Sequence, residues 1–473
     1  MNCRSILLLL PFLIFCGCAL LRPTDPYSAP LEGKPSAAPE AQAQAGTYPI
    51  PAPMAGGEGE FQAEGIFTIE RCTEIALANN PEIAATGWEV SAAGSRVKQS
   101  QAQRWPAVSA EAGYTSYLDP QRLIQARYNG EPGFFDRDIY RADVILKMPI
   151  FTGGRIVNEI AAADLLYKAE EHRLARSREE LVFNVASTFY SILAQRKIIH
   201  SIDFSVEAME KHLKQISDLL AAQKAAKVDL LRTEVRLSDL RQGLIKEENV
   251  LAIQKRVLAN LMGLDYDTER LAFEGKLAFE ELNTTGAAVL TSRALEQRSD
   301  YGAARERLEA QAKRVDIARA GHAPIVSVLG GYGVRADSYG DDGNVGAIGV
   351  GVTVPLFEGG RVMAKVAEER STLAAARERL RKLELQIRQD VETALLDIRA
   401  SGERVKALDK SIEQARESLR IERQKYELGM GSITDVLDAQ SALLQSETNY
   451  YRALADLHSA IARLKYATGG QPS

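Results

Sequence analysis

Two long stretches of the chain carry apolar residues at helical spacing. The second reads Val362, Val366, Leu373, Ala376, Leu380, Leu383, Ile387, Val391, Ala394, Ile398, Gly402, Val405, Leu408, Ile412, Ala415, Leu419. Its mean spacing, about 3.6 residues, is that of an α-helix with one buried face. The first includes Ile156, Ile160, Leu174, Leu181, Val185, Ile192, Ile199, Ile202, Val206, Met209 and Leu213. Each stretch predicts one helix of about 70 residues, ~105 Å long at ~1.5 Å per residue. Ahead of each long helix the period changes to two. Ala142, Val144, Leu146 and Met148 alternate with Arg141, Asp143, Ile145 and Lys147. Ile348, Val350, Val352 and Val354 alternate with Ala347, Gly349, Gly351 and Thr353. Partner strands put Val108, Ala110 and Tyr114, or Val326, Val328 and Tyr332, on one face. Apolar on one side and polar or small on the other fits the staves of a transmembrane β-barrel.

These elements belong to one unit used twice. Pro149-Ile150-Phe151-Thr152-Gly153-Gly154-Arg155 recurs as Pro355-Leu356-Phe357-Glu358-Gly359-Gly360-Arg361, an offset of 206, which also aligns Asp229 with Asp435 and Gly263 with Gly469. Upstream, Ala76-Leu77 matches Ala294-Leu295 and Trp105-Pro106 matches Ala323-Pro324 at an offset of 218. The difference, 218 − 206 = 12, gives the first copy twelve extra residues in its strand region. Each unit predicts a helix (Phe67–Arg104 or Ala287–His322) closed by proline, then a strand, a loop and a strand ending in Pro149 or Pro355. A glycine pair, Gly153-Gly154 or Gly359-Gly360, permits the sharp turn into the long helix, which ends near Gln223 or Gly429. A helix of about 35 residues completes the unit. The predicted organisation is repeat 1 over 61–263, a connector over 264–285 and repeat 2 over 286–470. The two shorter helices of a unit together match one long helix. That predicts a column in which one continuous helix lies beside two stacked half-length ones.

Four strands cannot close a barrel, which needs about eight, and an open edge in lipid leaves backbone groups unpaired. The chain is therefore expected to share a barrel with copies of itself. Two copies give eight strands, whose interior side chains fill; three give twelve strands and twelve column helices around a passage. The fold class expected is mainly α with a membrane β-barrel.

The ends and the composition agree. Arg4 followed by the apolar run Ile6 to Phe15 reads as an export signal, too short to span a bilayer. Gly17-Cys18 resembles a lipoprotein cleavage site, which makes 1–17 a signal peptide and Cys18 the lipidated residue. The following stretch to residue 60, rich in Pro, Ala, Gly and Gln, reads as a flexible tether. Cys3 and Cys16 leave with the signal, and Cys72 remains as a small packing residue. The net charge of −5 offers no basic excess for nucleic acid.

At the far end of the second long helix, Gly429 suits a left-handed helix terminus. Ser432 with Asp435 three later reads as a cap and a first-turn acid. Ala76-Leu77-Ala78-Asn79-Asn80-Pro81-Glu82, Val354 through Arg361, and Tyr426 through Gly429 to Ile433-Thr434-Asp435-Val436-Leu437-Asp438-Ala439-Gln440 resemble the TolC-like outer-membrane efflux protein family. The resemblance covers about Ile66 to Thr468. It implies a homotrimer with one shared twelve-stranded barrel in outer-membrane lipid and a long periplasmic α-barrel. It implies docking to a periplasmic adaptor and an inner-membrane transporter, with cargo selection left to the pump. In a well-characterised member, the positions matching Asp435 and Asp438 line the narrowest point of the duct. Three copies would set six carboxylates around the axis, favouring cations. Tyr426 is retained, but Gly431 stands where that member has an arginine that helps hold the tip shut. The first tip, Asp229 with Lys224-Ala225-Ala226-Lys227, lacks glycine, so the two tips are expected to differ and the gate to be built from the second.

Enzyme chemistry has little support. His172, His200, His212, His322 and His458 are far apart, without metal-ligand spacing. Gly346, Gly349 and Gly351 imitate a dinucleotide loop, but Pro355 follows where a helix should open. Glu179-Glu180 and Glu368-Glu369 read as helix-surface charge. No cofactor is expected. The competing reading, a non-conducting periplasmic adaptor or scaffold, should carry one helical hairpin and no lipid-facing strands.

Overall fold

A computed structural model describes residues 66–124, 134–224, 226–265, 272–279, 286–338 and 342–470. The chain divides into Met1–Pro49 and Ile50–Ser473, and every described residue belongs to the second part. Cys18 and the tether lie outside the described residues.

The repeat is visible element by element. The first copy runs α1 (Ile69–Asn79), α2 (Pro81–Ala102), β2 (Ala107–Ile124), β3 (Phe134–Phe151), α3 (Arg155–Ala221) and α4 (Lys227–Leu261). A two-residue strand, β1 (Ile66–Phe67), precedes it, and β4 (Ala272–Phe273) lies in the connector. The second copy runs α5 (Ala287–Gln297), α6 (Ser299–Arg319), β5 (Ile325–Ala336), β6 (Asp342–Thr353), α7 (Arg361–Glu427) and α8 (Ile433–Ala467). Both long helices have 67 residues, about 100 Å at ~1.5 Å per residue. Each is entered through two glycines of positive φ, +63° and +84° at Gly153 and Gly154, +59° and +82° at Gly359 and Gly360. A Cβ on Gly153 would stand 2.1 Å from that of Ala323, so this turn tolerates no side chain. Pro149 does not end its strand. It pairs with Ser327 inside β3, and the register slips just after it, between Pro149 and Phe151, as expected where an N–H is missing.

Every position of the two predicted stripes is buried or half-buried. Along α3 pack α2 and α6 at the strand end, and α4 and α8 at the other. One continuous helix therefore lies beside stacked shorter ones. The leading helices depart from expectation: each is broken in two. Asn80 and Arg298, related by the offset of 218, take the same extended backbone, φ/ψ of −65°/124° and −66°/124°. Pro81 forces this at Asn80. Serine follows Arg298, so nothing local forces the second break. Both breaks are tied to the end of the unit's last helix. Asn80 Nδ2 donates to the Leu261 carbonyl at 2.9 Å, and Arg298 Nη1 to the Ala467 carbonyl at 3.4 Å. Leu261 and Ala467 are themselves 206 apart.

The four longer strands form one antiparallel sheet, order β2-β3-β5-β6. The register puts the apolar residues in rows across all four: Ala110 beside Val144, Val144 beside Tyr332; Met148 beside Val328, Val328 beside Val350. On the opposite face Asp143 binds Arg335 at 2.6 Å. The twelve extra residues lie in the first hairpin, whose strands have 18 residues each against 12 in the second. Among the described residues, the outer edges of β2 and β6 pair with nothing.

The connector lies against the column. β1 and β4 pair in parallel, Phe67 and Phe273 pack on Phe189 of α3, and Phe279 reaches Val405 of α7. Cys72, also in that core, has its thiol pushed up to about 12 by burial and by Glu70, so it is an inert packing group.

Candidate functional site

Both helical hairpins end in the same turn. Gly429 has φ +74°, and the Met430 N–H donates to the Lys425 carbonyl at 2.9 Å. At the matching place in the first hairpin stands Gln223, with φ +58°, and the Lys224 N–H donates to the Leu219 carbonyl at 2.8 Å. These are Schellman closures, each returning an N–H to an orphan carbonyl of the last turn. The expectation that the glycine-free tip would differ is corrected for the backbone: the closure is the same, with glutamine held in the glycine conformation. Gly431 owes its identity to space. A Cβ there would come within 3.0 Å of Lys425 Cβ and 3.1 Å of the Tyr426 nitrogen.

The second tip opens α8 as expected. Ser432 Oγ accepts from the Thr434 N–H at 3.2 Å, and Asp435 lies in the first turn, where the helix dipole favours an acid. Asp435 and Asp438 are exposed, three residues apart on one face of α8. Between them Val436 and Leu437 turn inward to the core. Asp229 holds the corresponding first-turn place in α4.

Tyr426 is half-buried among Ile433, Leu437 and the apolar face of α3. Its hydroxyl is pushed up by burial and then by the charge of Asp229, so the structure brings Tyr426 and Asp229 into one electrostatic neighbourhood. The ring meets that of His212 edge-on, centroids 5.8 Å apart. His212 was missed as a tip residue, since its i, i+3 and i+4 neighbours do not show that α7 lies opposite. Burial lowers its pKa most; its hydrogen bond to Gln215 opposes this, Arg423 adds to it and Glu427 opposes it. Its Nε2 is buried without a partner among the described residues.

Halfway up the column, at the Arg298 break, lies an ionic cluster that the sequence reading did not anticipate. Arg298 bonds Asp300 at 2.7 Å and Asp390 at 2.8 Å. Arg176 bonds Glu179 at 2.9 Å and lies over the Tyr466 ring at 3.5 Å. Ser299 Oγ donates to Glu179 at 2.6 Å. The reading of Glu179 as surface charge is therefore corrected: its side chain is 6% exposed and paired. Glu369 is likewise half-buried and bonded to Gln311 and Lys365. Burial alone would raise the Asp300 carboxyl, but bonding to Arg298 and the charges of Arg176 and Arg298 outweigh it and hold it below the usual range.

Comparison with known proteins follows the same outline. The model of the outer membrane efflux protein family matches residues 73–264 and 290–470. The outer membrane protein TolC of Vibrio cholerae is 21% identical over 402 residues, covering 83% of this chain and 89% of its own. The proteases secretion protein PrtF of Dickeya chrysanthemi is 25% identical, covering 87% and 89%. The CmeC outer membrane channel of Campylobacter jejuni superposes with a TM-score of 0.74 over 92% of this chain and 94% of its own, at 16% identity. Paired repeats of helix, hairpin and long helix, with staves at one end, are the fold of outer-membrane exit ducts. The chain belongs to the outer membrane efflux protein family. It serves efflux and secretion systems at the outer membrane as a channel.

Proposed function

We propose that three copies of the chain form one passive duct, twelve strands in the outer membrane and twelve helices reaching into the periplasm. In this reading a periplasmic adaptor and an inner-membrane transporter deliver cargo and supply the energy, Cys18 carries lipid at the periplasmic side, and the protein catalyses no reaction. The observation that carries it is an inequality between repeat-equivalent helices. Of 67 residues each, α3 buries 20 and α7 buries 9. α3 has neighbours on both flanks; α7 has α5, α6 and α8 on one. The missing flank of α7 is the place that the α2 and α4 of a neighbouring copy would take, and on α4 Val228, Leu231, Val235, Ile245, Ile253 and Val257 lie exposed. The open edges of β2 and β6 make the same demand, because each unpaired backbone group in lipid costs several kcal/mol. A head-to-tail ring meets both demands.

Asp435 and Asp438 form the gate of this duct, with Tyr426 and Asp229 behind them and the turns at Gln223 and Gly429–Gly431 setting the tips. Six exposed carboxylates around the axis favour cations and bind multivalent ones. Single-channel recording of the purified protein in a planar bilayer tests this, beside Asp435→Asn with Asp438→Asn. Small, cation-selective currents should rise in the double mutant and lose block by multivalent cations. Currents that the mutations leave unchanged would move the gate elsewhere; no current from inserted protein would overturn the duct.

A further inference from the structure

We propose that Arg141 and Lys147, beside Arg335, form a cationic shelf inside the β-barrel that receives carboxylate or phosphate groups of the cargo, so that the outer half of the duct favours anions where the tip favours cations. The proposal rests on the duct reading above and names the chemistry of what passes. Its basis is the register of the sheet. Ala142, Val144, Leu146 and Met148 make the apolar face of β3, so Arg141, Asp143 and Lys147 lie on the other. Arginine or lysine facing lipid is strongly destabilising near the membrane midplane. The charged face is therefore the lumen. Glu111 of β2 shares it, opposite Asp143, and Arg335 of β5 shares it, opposite Arg141. Between the level of Lys147 and that of Arg141, the inward residues of β6 are Gly343, Val345, Ala347 and Gly349, all uncharged. Over that stretch each chain sets three cations against two acids.

The seating of these charges separates the committed from the free. Asp143 Oδ1 accepts from Arg335 Nη1 at 2.6 Å, and a Cβ on Gly333 would collide with that oxygen. Asp143 is thereby taken by Arg335. Arg141 lies instead across Gly113, where a Cβ would come within 3.0 Å of its Nε. Arg141 and Lys147 are exposed, and neither makes an ion pair with any described residue. Glu111 is exposed and unpaired as well, one free acid to two free cations. Arg141 also stands directly opposite Arg335. Like charges so placed destabilise a sheet, and an exposed side chain returns no packing for that cost. Two adjacent guanidinium forks do suit a carboxylate or phosphate, whose oxygens accept parallel N–H bonds. Lys147 follows six residues on, about 20 Å at ~3.4 Å per residue, as a second station toward the periplasm. Three copies repeat the shelf around the lumen, and rings of arginine and lysine select anions in pores.

The test records the full-length trimer in planar bilayers in the Asp435→Asn/Asp438→Asn background, so that the tip acids do not dominate, with citrate added from the barrel side. Citrate should block the current, and the reversal potential in a potassium chloride gradient should lean toward chloride. Arg141→Gln/Lys147→Gln should raise the half-blocking citrate concentration severalfold and move the reversal potential toward potassium. Arg141→Lys should keep most of the block, and Glu111→Gln should deepen it. Block and selectivity that stay the same in Arg141→Gln/Lys147→Gln would overturn the shelf and leave the duct standing. No current from inserted protein would overturn the duct, and the shelf with it, since the shelf needs a lumen.

Discussion

Gln223 shows how one residue can hold a shape its chemistry resists. A left-handed conformation costs a residue with a Cβ about 1–2 kcal/mol, yet Gln223 sits there at +58° where its repeat twin Gly429 sits at +74°. The closure bonds on either side hold it. Gln223→Gly should therefore stabilise the first tip, by roughly 0.5–1 kcal/mol once glycine's extra freedom in the unfolded chain is set against the relieved strain. Hydrogen exchange at the Gln223 and Lys224 amides should slow accordingly; faster exchange would mean the strain is not there. The position was legible, since the offset of 206 pairs the two residues. The conformation was not, because the missing glycine reads as a different turn. Glu179 failed for a related reason: next to Glu180 it looks like surface charge, and no periodicity within α3 shows that Ser299 arrives from another helix 120 residues away.

At the scale of elements, the helix breaks are the informative case. The Asn80 break is written in the sequence as Asn-Pro. The Arg298 break depends on partners from α6, α7 and α8: Asp300, Asp390 and the Ala467 carbonyl. Arg298 is buried and its loss strands Asp300 and the half-exposed Asp390, so Arg298→Met should destabilise the fold by roughly 3 kcal/mol. Asn80→Ala, which loses a cap and one carbonyl bond, should cost about 1 kcal/mol. The larger effect should depend on pH. The folded Asp300 carboxyl lies below its unfolded value of about 3.9, so its contribution is fully present above that value and is lost as pH falls toward the folded one. Urea unfolding at pH 7 and at pH 3 to 4 should show the gap between parent and Arg298→Met narrowing in acid. A gap that stays constant would mean that Asp300 is not the partner that matters.

For the whole molecule, the repeat supplies a register that a single chain cannot display. Within the chain β3 pairs with β5 so that Val144 faces Tyr332, Leu146 faces Gly330 and Met148 faces Val328. Moving β3 forward by 206 gives β6, and moving β5 back by 218 gives β2. The seam between copies should therefore set Val350 beside Tyr114, Val352 beside Ala112 and Val354 beside Ala110 of the next copy. Each pair falls on the apolar face, which a one-residue slip would send to the other side. Directly opposed residues of an antiparallel pair stand about 4.5–5.5 Å apart between Cα atoms, within reach of a disulfide. Val352→Cys with Ala112→Cys, in a chain otherwise freed of reactive thiols, should on oxidation give a covalent trimer that survives detergent denaturation and collapses on reduction. Val352→Cys with Glu111→Cys puts the thiols on opposite faces and should stay monomeric under the same conditions. A trimer from the second pair and none from the first would mean that the copies do not meet as the two repeats do, and the ring would need a different seam.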